Sequence, residues 1–528
     1  MKTICRAVIF ALCMTAPRFA NAATHKVPAD YESIQAAIDA ASAGDVVLVD
    51  PGTYVGQLKL KPGITLRSVG QEKVDTDRFA RAMCTIIDAG GNLEMAPGVE
   101  MAEGSQLDGF TVTNVGTFDE HSWQTHFEQH GEQLADSTGV AGAEASRPGV
   151  RVRGVACRIA YCVIHHNGDV GIAIEGAECQ EETSICHNWV YRNMGGGIGI
   201  AGRSNVIVRD NRCDENLRSG IGCRHASPII EQNECSRNVR AGIGCREGSH
   251  AVIRQNRCHR NQRAGIGIRM PETAPLVEDN ECFENAMAGI GCRDRATPIL
   301  RHNKCHHNRA AGIGCADSSE PVVIANQCYE NEQAGIGVSA GVHAVIHKNE
   351  CRENRQVAVG VVGGSIAIMT QNVLSRSGGV PPIVAIRADS GALLHDNELT
   401  GGGVAALLVQ GRVTAHENKF LSNADRTGQG IWVWPGATLD AFANHFDGFG
   451  PAIRADHAHI MAIRNRCMNA GEAAAIVVKA SPTAVYIVGN ESKGGASPAV
   501  QVTESAGVIK QNSTAPADSV APGEPRAD

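Results

Sequence analysis

Four arginines stand at one fixed position of a repeated phrase and are the side chains best suited to bind an anion. Each follows the sequence Gly-Ile-Gly-apolar, and the four are Arg224, Arg246, Arg269 and Arg293. Carboxylates come directly after two of them, at Glu247 and Asp294. Because a guanidinium group binds carboxylates through paired hydrogen bonds, this set predicts either a surface for an anionic glycan or a rim whose charges neutralise one another.

The glycines that precede these arginines bear on the choice between the two interpretations. Gly220 and Gly222 begin and end the Gly-Ile-Gly string, and the string recurs in the following copies. Residues without side chains would leave bare backbone beside the arginines, as a flat floor for an extended polymer. The alternative is that these glycines only satisfy the geometry of a turn.

Three histidines occur in a polar segment, residues 118–146, that interrupts the repeat. His126 and His130 lie four residues apart, so a short helix would place both on one face, with His121 or a nearby carboxylate as a third ligand for copper or zinc. The segment lacks the glutamate placement of a zinc-protease helix. It is too long for a simple turn and is expected to project from the repeat, either as a metal site or as an ordinary solvated loop.

Cysteine is the most unusual component of the composition, with 19 residues. One set lies two residues after a recurring asparagine, at Cys213, Cys235, Cys258, Cys282, Cys305, Cys328 and Cys351. Period-two alternation points this set inward, where neighbouring copies would stand about 4.8 Å apart, more than the roughly 3.8 Å between Cβ atoms that a relaxed disulfide prefers. Free, buried cysteines that act as small apolar residues are expected, with a soft-metal or redox role as the alternative.

A repeat of 22 to 24 residues organises the middle of the chain. Its strongest copies begin at Asn211, Asn233, Asn256, Asn280, Asn303, Asn326, Asn349 and Asn372, and weaker ones at Asn188, Asn397, Asn418, Asn444, Asn465, Asn490 and Asn512. Segments within a copy are short, β-branched and alternating, and each central glycine opposes a helix by about 1 kcal/mol. Coiled in parallel, such copies place like residues over like, which predicts an asparagine amide ladder and a thin core of stacked isoleucines and cysteines.

The two ends of the chain differ from the repeat. Residues 1–22 have the basic start, short apolar run and small-residue end of a signal peptide, so a periplasmic or extracellular location is expected. Residues 31–41 predict an amphipathic helix with Asp30 as its N-cap, closing the first turn of a β-helix over 23–512, and residues 513–528 predict a disordered tail. The net charge of -8 gives no support for a nucleic-acid partner, and no later segment is apolar enough to span a membrane.

The start of the expected mature chain resembles that of the pectate-lyase-like β-helix superfamily. The residues that carry this resemblance are Val27–Ile38, Gly44–Val49 and Pro51–Tyr54. The Asn-x-Cys-x-x-Asn and Gly-Ile-Gly copies are similar to repeats of the periplasmic copper-maturation protein NosD and of carbohydrate-binding and sugar-hydrolase modules. The resemblance implies an all-β fold, a single-stranded right-handed parallel β-helix, or solenoid, with an N-terminal capping helix. It leaves the activity open, because the superfamily includes lyases, hydrolases, epimerases, esterases and proteins without known activity.

Motifs of known enzymes on this fold are absent from the sequence. There is no Gly-His-Gly string of polygalacturonases and no Asp-Pro-His-Asp string of alginate epimerases, and the nearest match to the latter, residues 454–459, lacks the proline and the spacing. Pectate-lyase-like chemistry needs several carboxylates that hold calcium and an arginine that acts as base, and only the arginines are evident. No catalytic residue is assigned.

Two functional hypotheses from different classes follow. The first is a secreted or periplasmic protein that binds or processes an acidic polysaccharide on the face bearing the arginines; as an enzyme it would be a lyase, hydrolase or epimerase. The second is a NosD-like accessory protein that handles copper or another metal without enzymatic activity. A purely structural surface protein is a third alternative. Copper, zinc and calcium are the cofactors that these hypotheses admit.

Overall fold

The computed structural model is a continuous solenoid in which the chain winds through three parallel sheets. It describes residues 22–70, 78–92, 96–129, 147–176, 183–423, 428–471, 473–494 and 498–515. Each complete turn contributes one short strand to each sheet, in the order face A, face B, face C, and these strands pair in parallel with those of the neighbouring turns. The predicted parallel β-helix is confirmed.

The strands of each face follow one another along the solenoid axis. Face A consists of Thr24–Val27, Val46–Val49, Thr65–Ser68, Ser105–Asp108, Cys157–Ala160, Ser184–Cys186, Ile207–Arg209, Ile229–Glu231, Val252–Arg254, Leu276–Glu278, Ile299–Arg301, Val322–Ile324, His343–His347, Ile366–Thr370, Gly391–His395, Arg412–His416, Thr438–Phe442, His459–Ile463, Val485–Val488 and Gly507–Lys510. Face B consists of Gly52–Val55, Thr85–Asn92, Thr111–Val115, Val163–His165, Trp189–Tyr191, Arg212–Asp214, Glu234–Ser236, Arg257–His259, Glu281–Phe283, Lys304–His306, Gln327–Tyr329, Glu350–Arg352, Val373–Arg376, Glu398–Gly401, Lys419–Ser422, His445–Asp447, Arg466–Met468, Glu491–Lys493 and Ser513–Ala515. Face C consists of Leu58–Lys59, Val99–Glu100, Val150–Arg153, Ile172–Glu175, Ile198–Ala201, Ile221–Arg224, Ile243–Arg246, Ile266–Arg269, Ile290–Arg293, Ile313–Cys315, Ala334–Val338, Val357–Val361, Val384–Ile386, Ala405–Val409, Gln429–Val433, Ile453–Asp456, Ile476–Lys479 and Val500–Thr503.

Short helices accompany the strands at the start of the chain. They are α1 (Ile34–Ala40), α2 (Ala80–Cys84) and α3 (Glu120–Glu128). The apolar face of α1 is buried against the first turn, as its pattern predicts. Its N-cap is Ser33, whose hydroxyl accepts a hydrogen bond from the amide of Ala36 at 3.2 Å, so the prediction of Asp30 was wrong. Asp30 instead accepts a hydrogen bond from the amide of Lys26, four residues earlier in the first strand.

Two asparagine ladders hold successive turns in register. The predicted ladder lies between faces A and B and runs from Asn188 to Asn512, with each Nδ2 donating to the Oδ1 of the next asparagine at 2.8 to 3.1 Å. A second ladder lies between faces B and C and runs from Asn167 to Asn354. This second ladder is not among the features predicted from the sequence, although Asn216 closes the repeated Asn-x-Cys-x-x-Asn string. Because the buried amides bond both to their neighbours and to main-chain carbonyls, they fix the register of the turns.

The core is a narrow column of stacked apolar residues. Ile221 and Cys223 on face C point inward and are at most 1% exposed, and the predicted inward cysteines of face B are fully buried. Every cysteine in the described residues is a free thiol, as the sequence predicts. Burial raises the pKa of the Cys467 thiol to about 12, which leaves it protonated and unreactive at neutral pH.

The end of the solenoid lies slightly beyond its predicted limit. Ser513–Ala515 forms a strand that pairs with Glu491–Lys493, so the coil continues into the segment expected to be disordered. Residues 1–21 of the predicted signal peptide and residues 516–528 of the predicted tail lie outside the described residues. In the part of the chain that the structure describes, no helix has the length and apolar character needed to cross a lipid bilayer.

Candidate ligand-binding face

Face C carries an unbroken row of outward-facing glycines. Parallel register places Gly222 beside Gly244 on the next strand. The complete set, called the glycine row below, is Gly199, Gly222, Gly244, Gly267, Gly291, Gly314, Gly337 and Gly360. With strands about 4.8 Å apart, the row forms a strip roughly 34 Å long.

Packing inside the fold does not require glycine at several of these positions, including Gly222, Gly267 and Gly291. A Cβ added at Gly222 would meet no atom within 4 Å. At Gly267 and Gly291 the nearest atom would be an alanine methyl, at 3.5 and 3.6 Å, which is ordinary van der Waals contact. Strands usually favour β-branched side chains, so a row of glycines in a sheet is unusual. The absence of side chains keeps the face flat and lets a ligand approach the backbone closely.

The first glycine of each Gly-Ile-Gly string has a different role. A Cβ at Gly220 would lie 2.8 Å from the carbonyl oxygen of Gly242, 2.8 Å from Nδ2 of Asn238 and 3.1 Å from Cβ of Cys213. The backbone is packed there against the second ladder and the cysteine column, and no side chain fits. Close packing, and not the turn geometry considered from the sequence, therefore accounts for Gly220, whereas Gly222 leaves bare backbone on the outer face.

Small and basic residues border the glycine row on the side of the turn between faces B and C. The methyl groups of Ala241 and Ala264 lie directly beside the row. On three successive turns an arginine comes directly before the small residue of this border. These arginines, called the basic margin below, are Arg218, Arg240 and Arg263. The amide of Arg240 donates to the carbonyl of Arg218 at 3.3 Å, so this basic margin follows the solenoid axis.

The predicted arginine row borders the glycine row on its other side. The pairing of successive strands stacks its members in register: Arg224, Arg246, Arg269 and Arg293. Their side chains point outward, and the exposed fraction rises along the row from 20% at Arg246 to 52% at Arg293. The geometry predicted from alternation is thus confirmed.

Carboxylates neutralise much of the arginine row. The pairs are Arg246 with Glu247 at 3.4 Å, Arg269 with Asp294 at 3.0 Å, and Arg293 with Asp317 at 2.8 Å. Asp317 was not identified from the sequence. Among the described residues, Arg224 has no carboxylate within ion-pair distance. The predicted self-neutralised rim is therefore present for three arginines, and Arg224 is the member whose charge is most available to an external anion.

Two tryptophans continue these rows further along face C. Trp432 lies in line with the glycine row, three turns beyond Gly360. Trp434, 38% exposed, occupies the position that corresponds to the arginine row, and the two indoles meet edge to face with their centroids 5.5 Å apart. The guanidinium of Arg454 lies over the Trp432 ring at 5.7 Å. This patch is not among the features predicted from the sequence, because neither tryptophan belongs to a recurring string.

The described part of the insertion lies against the solenoid and does not project from it. Trp123 of α3 is 3% exposed and packs on Leu217 and Val239. Its Nε1 donates to the carbonyl of Glu215 at 2.8 Å, and the guanidinium of Arg192 covers its ring at 4.5 Å. Because Leu217 and Val239 directly precede residues of the basic margin, α3 forms a wall beside that margin.

The structure leaves the predicted histidine site untested. The helix α3 contains His121 and His126 but ends at Glu128, and His130 lies outside the described residues. His121 is exposed, whereas Nδ1 of His126 is shielded from solvent and has no hydrogen-bond partner. No group of three potential ligand atoms converges on His121 or His126 within the described ranges. A metal site at His121, His126 and His130 therefore stays a prediction.

Ionisable groups also cluster at the base of the insertion. Glu120 and Glu215 both pair with Arg192, at 3.1 and 2.9 Å. Nδ1 of His165 lies 2.7 Å from Nδ1 of His166. Burial, reinforced by the neighbouring His166, lowers the pKa of His165 to about 4, and burial also lowers that of His166. The carboxylates are held by an arginine and His165 is neutral at pH 7, so the described geometry assigns no catalytic acid or base here.

The comparisons with known proteins identify the class to which this architecture belongs. A family model described as "Right handed beta helix region" matches residues 148–270 and 267–385, the part of the chain that carries the strongest repeats. Together with the parallel winding, this match supports the fold of a right-handed parallel β-helix.

Several solved structures are similar to this chain at low identity. One is the catalytic unit of the thermostable GH87 alpha-1,3-glucanase from Streptomyces thermodiastaticus, with 13% identity and a TM-score of 0.42; the match covers 66% of this chain and 61% of that one, less than two thirds of its length. Another is the A-module of the mannuronan C-5 epimerase AlgE6 from Azotobacter vinelandii, with 14% identity, a TM-score of 0.32 and coverage of 78% and 94%. The periplasmic alginate epimerase AlgG, as a D317A mutant, has 16% identity, a TM-score of 0.36 and coverage of 67% and 76%. No curated protein matches the sequence.

Proposed function

We propose that face C binds an extended acidic polysaccharide in the periplasm or outside the cell. The observation that carries this proposal is the glycine row, where positions such as Gly222 and Gly267 have room for a side chain and carry none. A polymer lying along the solenoid axis would meet the same bare backbone at each turn, about every 4.8 Å. The regular spacing of the glycine row therefore suits a ligand built of repeating units.

The borders of the floor favour an anionic ligand. Arg224 on one side is partly exposed and has no carboxylate partner among the described residues, and Arg218 and Arg263 of the basic margin are partly exposed on the other side. Guanidinium groups form paired, charge-assisted hydrogen bonds with carboxylates, which suits a polymer of uronic acids. The half-exposed ring of Trp434 offers an apolar face on which the C–H surface of a sugar can pack. These features together support a polyuronate over a neutral glucan.

Binding of defined polymers to the mature protein tests this proposal. Isothermal titration calorimetry against polyuronates and neutral glucans is expected to give salt-sensitive binding to the polyuronates alone. Arg224→Ala is expected to weaken binding at least tenfold, because one charge-assisted hydrogen bond contributes about 1.5 to 3 kcal/mol. Arg293→Ala is expected to have a smaller effect, since Asp317 already pairs with that arginine.

The matched control is Arg257→Ala on face B, where the arginine pairs with Glu281 at 3.0 Å, away from the glycine row. The same affinity for polyuronate in Arg224→Ala as in the wild type, or an equal loss in Arg257→Ala, would contradict the proposal. Product analysis of the same mixtures separates pure binding from processing, because a lyase, hydrolase or epimerase would change the chain length or the sugar composition of the polymer.

A metal-handling accessory protein is the second candidate, and the partnerless Nδ1 of His126 favours it. Metal analysis of untagged protein tests it directly. Stoichiometric copper or zinc that is lost on His126→Ala would support this candidate, whereas the same metal content in wild type and variant would exclude a role for that histidine.

A further inference from the structure

Two histidines in the weaker copies of the repeat lie side by side on face A. His395 and His416 end neighbouring strands and are direct partners in the parallel register. Their rings stack with centroids 5.1 Å apart and an interplanar angle of 16°. Both side chains are 43% exposed, so they are accessible from solvent.

The residue after the second histidine brings a carboxylate to this pair. Oε1 of Glu417 lies 3.4 Å from Nε2 of His416, and its Oε2 lies 3.9 Å from Nδ1 of His395. Within the described part of the chain, no lysine or arginine is at ion-pair distance from this carboxylate. Elsewhere on the same face, glutamates are held by arginines, as in the pairs Glu231–Arg254 at 2.7 Å and Glu278–Arg301 at 2.5 Å. At His395 and His416, imidazoles take the position that guanidinium groups have in those pairs.

One shielded ring nitrogen of this histidine pair has no hydrogen bond. Nδ1 of His395 is shielded from solvent by its surroundings and has no hydrogen-bond partner. A shielded polar atom without a partner is uncommon, because its desolvation is not compensated. The ligand atoms of His395, His416 and Glu417 all lie within 4.8 Å of one another. In a tetrahedral zinc site with bonds of about 2.0 to 2.1 Å, ligand atoms stand roughly 3.3 Å apart, a contraction that rotation of half-exposed side chains can supply.

The backbone beneath the cluster is fixed by the first asparagine ladder. Each histidine is followed two residues later by a ladder asparagine, and Nδ2 of Asn397 donates to Oδ1 of Asn418 at 2.9 Å. The amide of Asp396 donates to the carbonyl of His416 at 3.2 Å, and the amide of Glu417 donates to that of Phe442 at 3.0 Å. Only side-chain rotations are needed to assemble the ligands, so little backbone entropy is lost on binding.

We propose that His395, His416 and Glu417 bind one divalent first-row transition-metal ion, with Zn²⁺ as the best-fitting ion. Two imidazole nitrogens and one carboxylate oxygen form a donor set that suits Zn²⁺ or Cu²⁺ and leaves a fourth position open to water. Ca²⁺ is a poor match, because it takes six to eight oxygen ligands. The bound ion links two turns of the solenoid and stabilises them by mass action.

Zinc titration of untagged mature protein, depleted of metal with a chelator, tests the proposal. Calorimetry is expected to give one equivalent of Zn²⁺ that is absent from the His395→Ala and His416→Ala variants, and no binding of Ca²⁺ at this site. Glu417→Gln is expected to retain weaker binding, since an amide oxygen is a poorer ligand than a carboxylate. Zn²⁺ is also expected to raise the melting temperature of the wild type but not that of His416→Ala.

Two variants serve as controls. His347→Ala changes a histidine at the same strand position two turns earlier, whose Nδ1 is hydrogen-bonded to Oγ1 of Thr370 at 2.8 Å. His126→Ala reports separately on the insertion, so success or failure there is distinguishable from the result at this site. Absence of zinc binding in the wild type, unchanged binding in the His395→Ala and His416→Ala double variant, or an equal loss in His347→Ala would overturn the proposal.

Discussion

Gly220 and Gly222 lie two residues apart in one turn of the solenoid, yet their surroundings are opposite. A Cβ at Gly220 would lie 2.8 Å from the carbonyl oxygen of Gly242, whereas a Cβ at Gly222 would meet no atom within 4 Å. One glycine is therefore required by the packing of the coil. The other is free to change as far as the fold is concerned, and it lies on the face that we propose as the ligand floor.

This difference predicts opposite effects on stability. Gly220→Ala is expected to lower the free energy of unfolding by about 1 to 3 kcal/mol, as overpacking typically does. Gly222→Ala is expected to be neutral or stabilising by up to about 1 kcal/mol, because alanine reduces the entropy of the unfolded chain. Urea unfolding of the two variants checks this, and equal destabilisation by both would contradict the assignment of the two roles.

The asparagine ladders are expected to be sensitive to single deletions. Oδ1 of Asn280 accepts hydrogen bonds from both the amide and the Nδ2 of Asn256, at 2.9 and 3.0 Å. Asn280→Ala removes the acceptor of the buried Asn256 amide and one of the three acceptors of its Nδ2, so a loss of about 1 to 3 kcal/mol is expected. Gln327→Ala, at an exposed position of face B, is the control and is expected to change the unfolding midpoint little. A similar midpoint for both variants would argue against the ladder as a source of stability.

Thiol reactivity is expected to separate one cysteine from the rest of those described. Cys84 is exposed, whereas the others are buried. A thiol reagent applied to native protein is expected to label Cys84 quickly and to reach Cys258 and Cys305 only after unfolding. Peptide mass spectrometry locates the label. A disulfide between Cys223 and Cys245, whose sulfur atoms lie 3.8 Å apart as thiols, would contradict the free-thiol core.

Acid is expected to destabilise the turns around His165. The pKa of this imidazole is lowered from 6.5 to about 4, by burial first and then by His166, so below pH 6.5 the unfolded chain binds a proton more readily than the folded one. Stability from this group is therefore full above pH 6.5 and falls as the pH drops toward 4. The unfolding midpoint of His165→Gln is expected to change less between pH 7.5 and 4.5 than that of the wild type. An identical change in both proteins would contradict this linkage.

Features that depend only on position within a turn could be predicted from the sequence. Like residues recur with a nearly constant period, so Asn211 had to lie over Asn188 and under Asn233, and the inward place of Cys213 followed from alternation. The outward place of Arg246 and its neighbours followed in the same way. Each of these predictions needs the period and nothing about tertiary contacts.

Features that depend on register outside the strong repeats could not be predicted. Trp432 lies in line with Gly360 only because two intervening strands, with Ala385 and Leu408 at the same position, carry the register across a stretch without a recurring string. His395 and His416 meet for the same reason. The N-cap of α1 was misplaced because Asp30 and Ser33 are both good caps, and the path of the chain decides which one reaches the helix amides.

The affinity of a floor-filled variant for polyuronate tests the central claim most directly. Gly222→Val combined with Gly267→Val adds side chains to the glycine row at two positions where an added Cβ has no close contact, and Gln327→Val adds a similar side chain to face B. The account predicts that both proteins fold with the melting temperature of the wild type and that only the first loses affinity, by at least tenfold. Wild-type affinity in the folded Gly222→Val and Gly267→Val variant would contradict it.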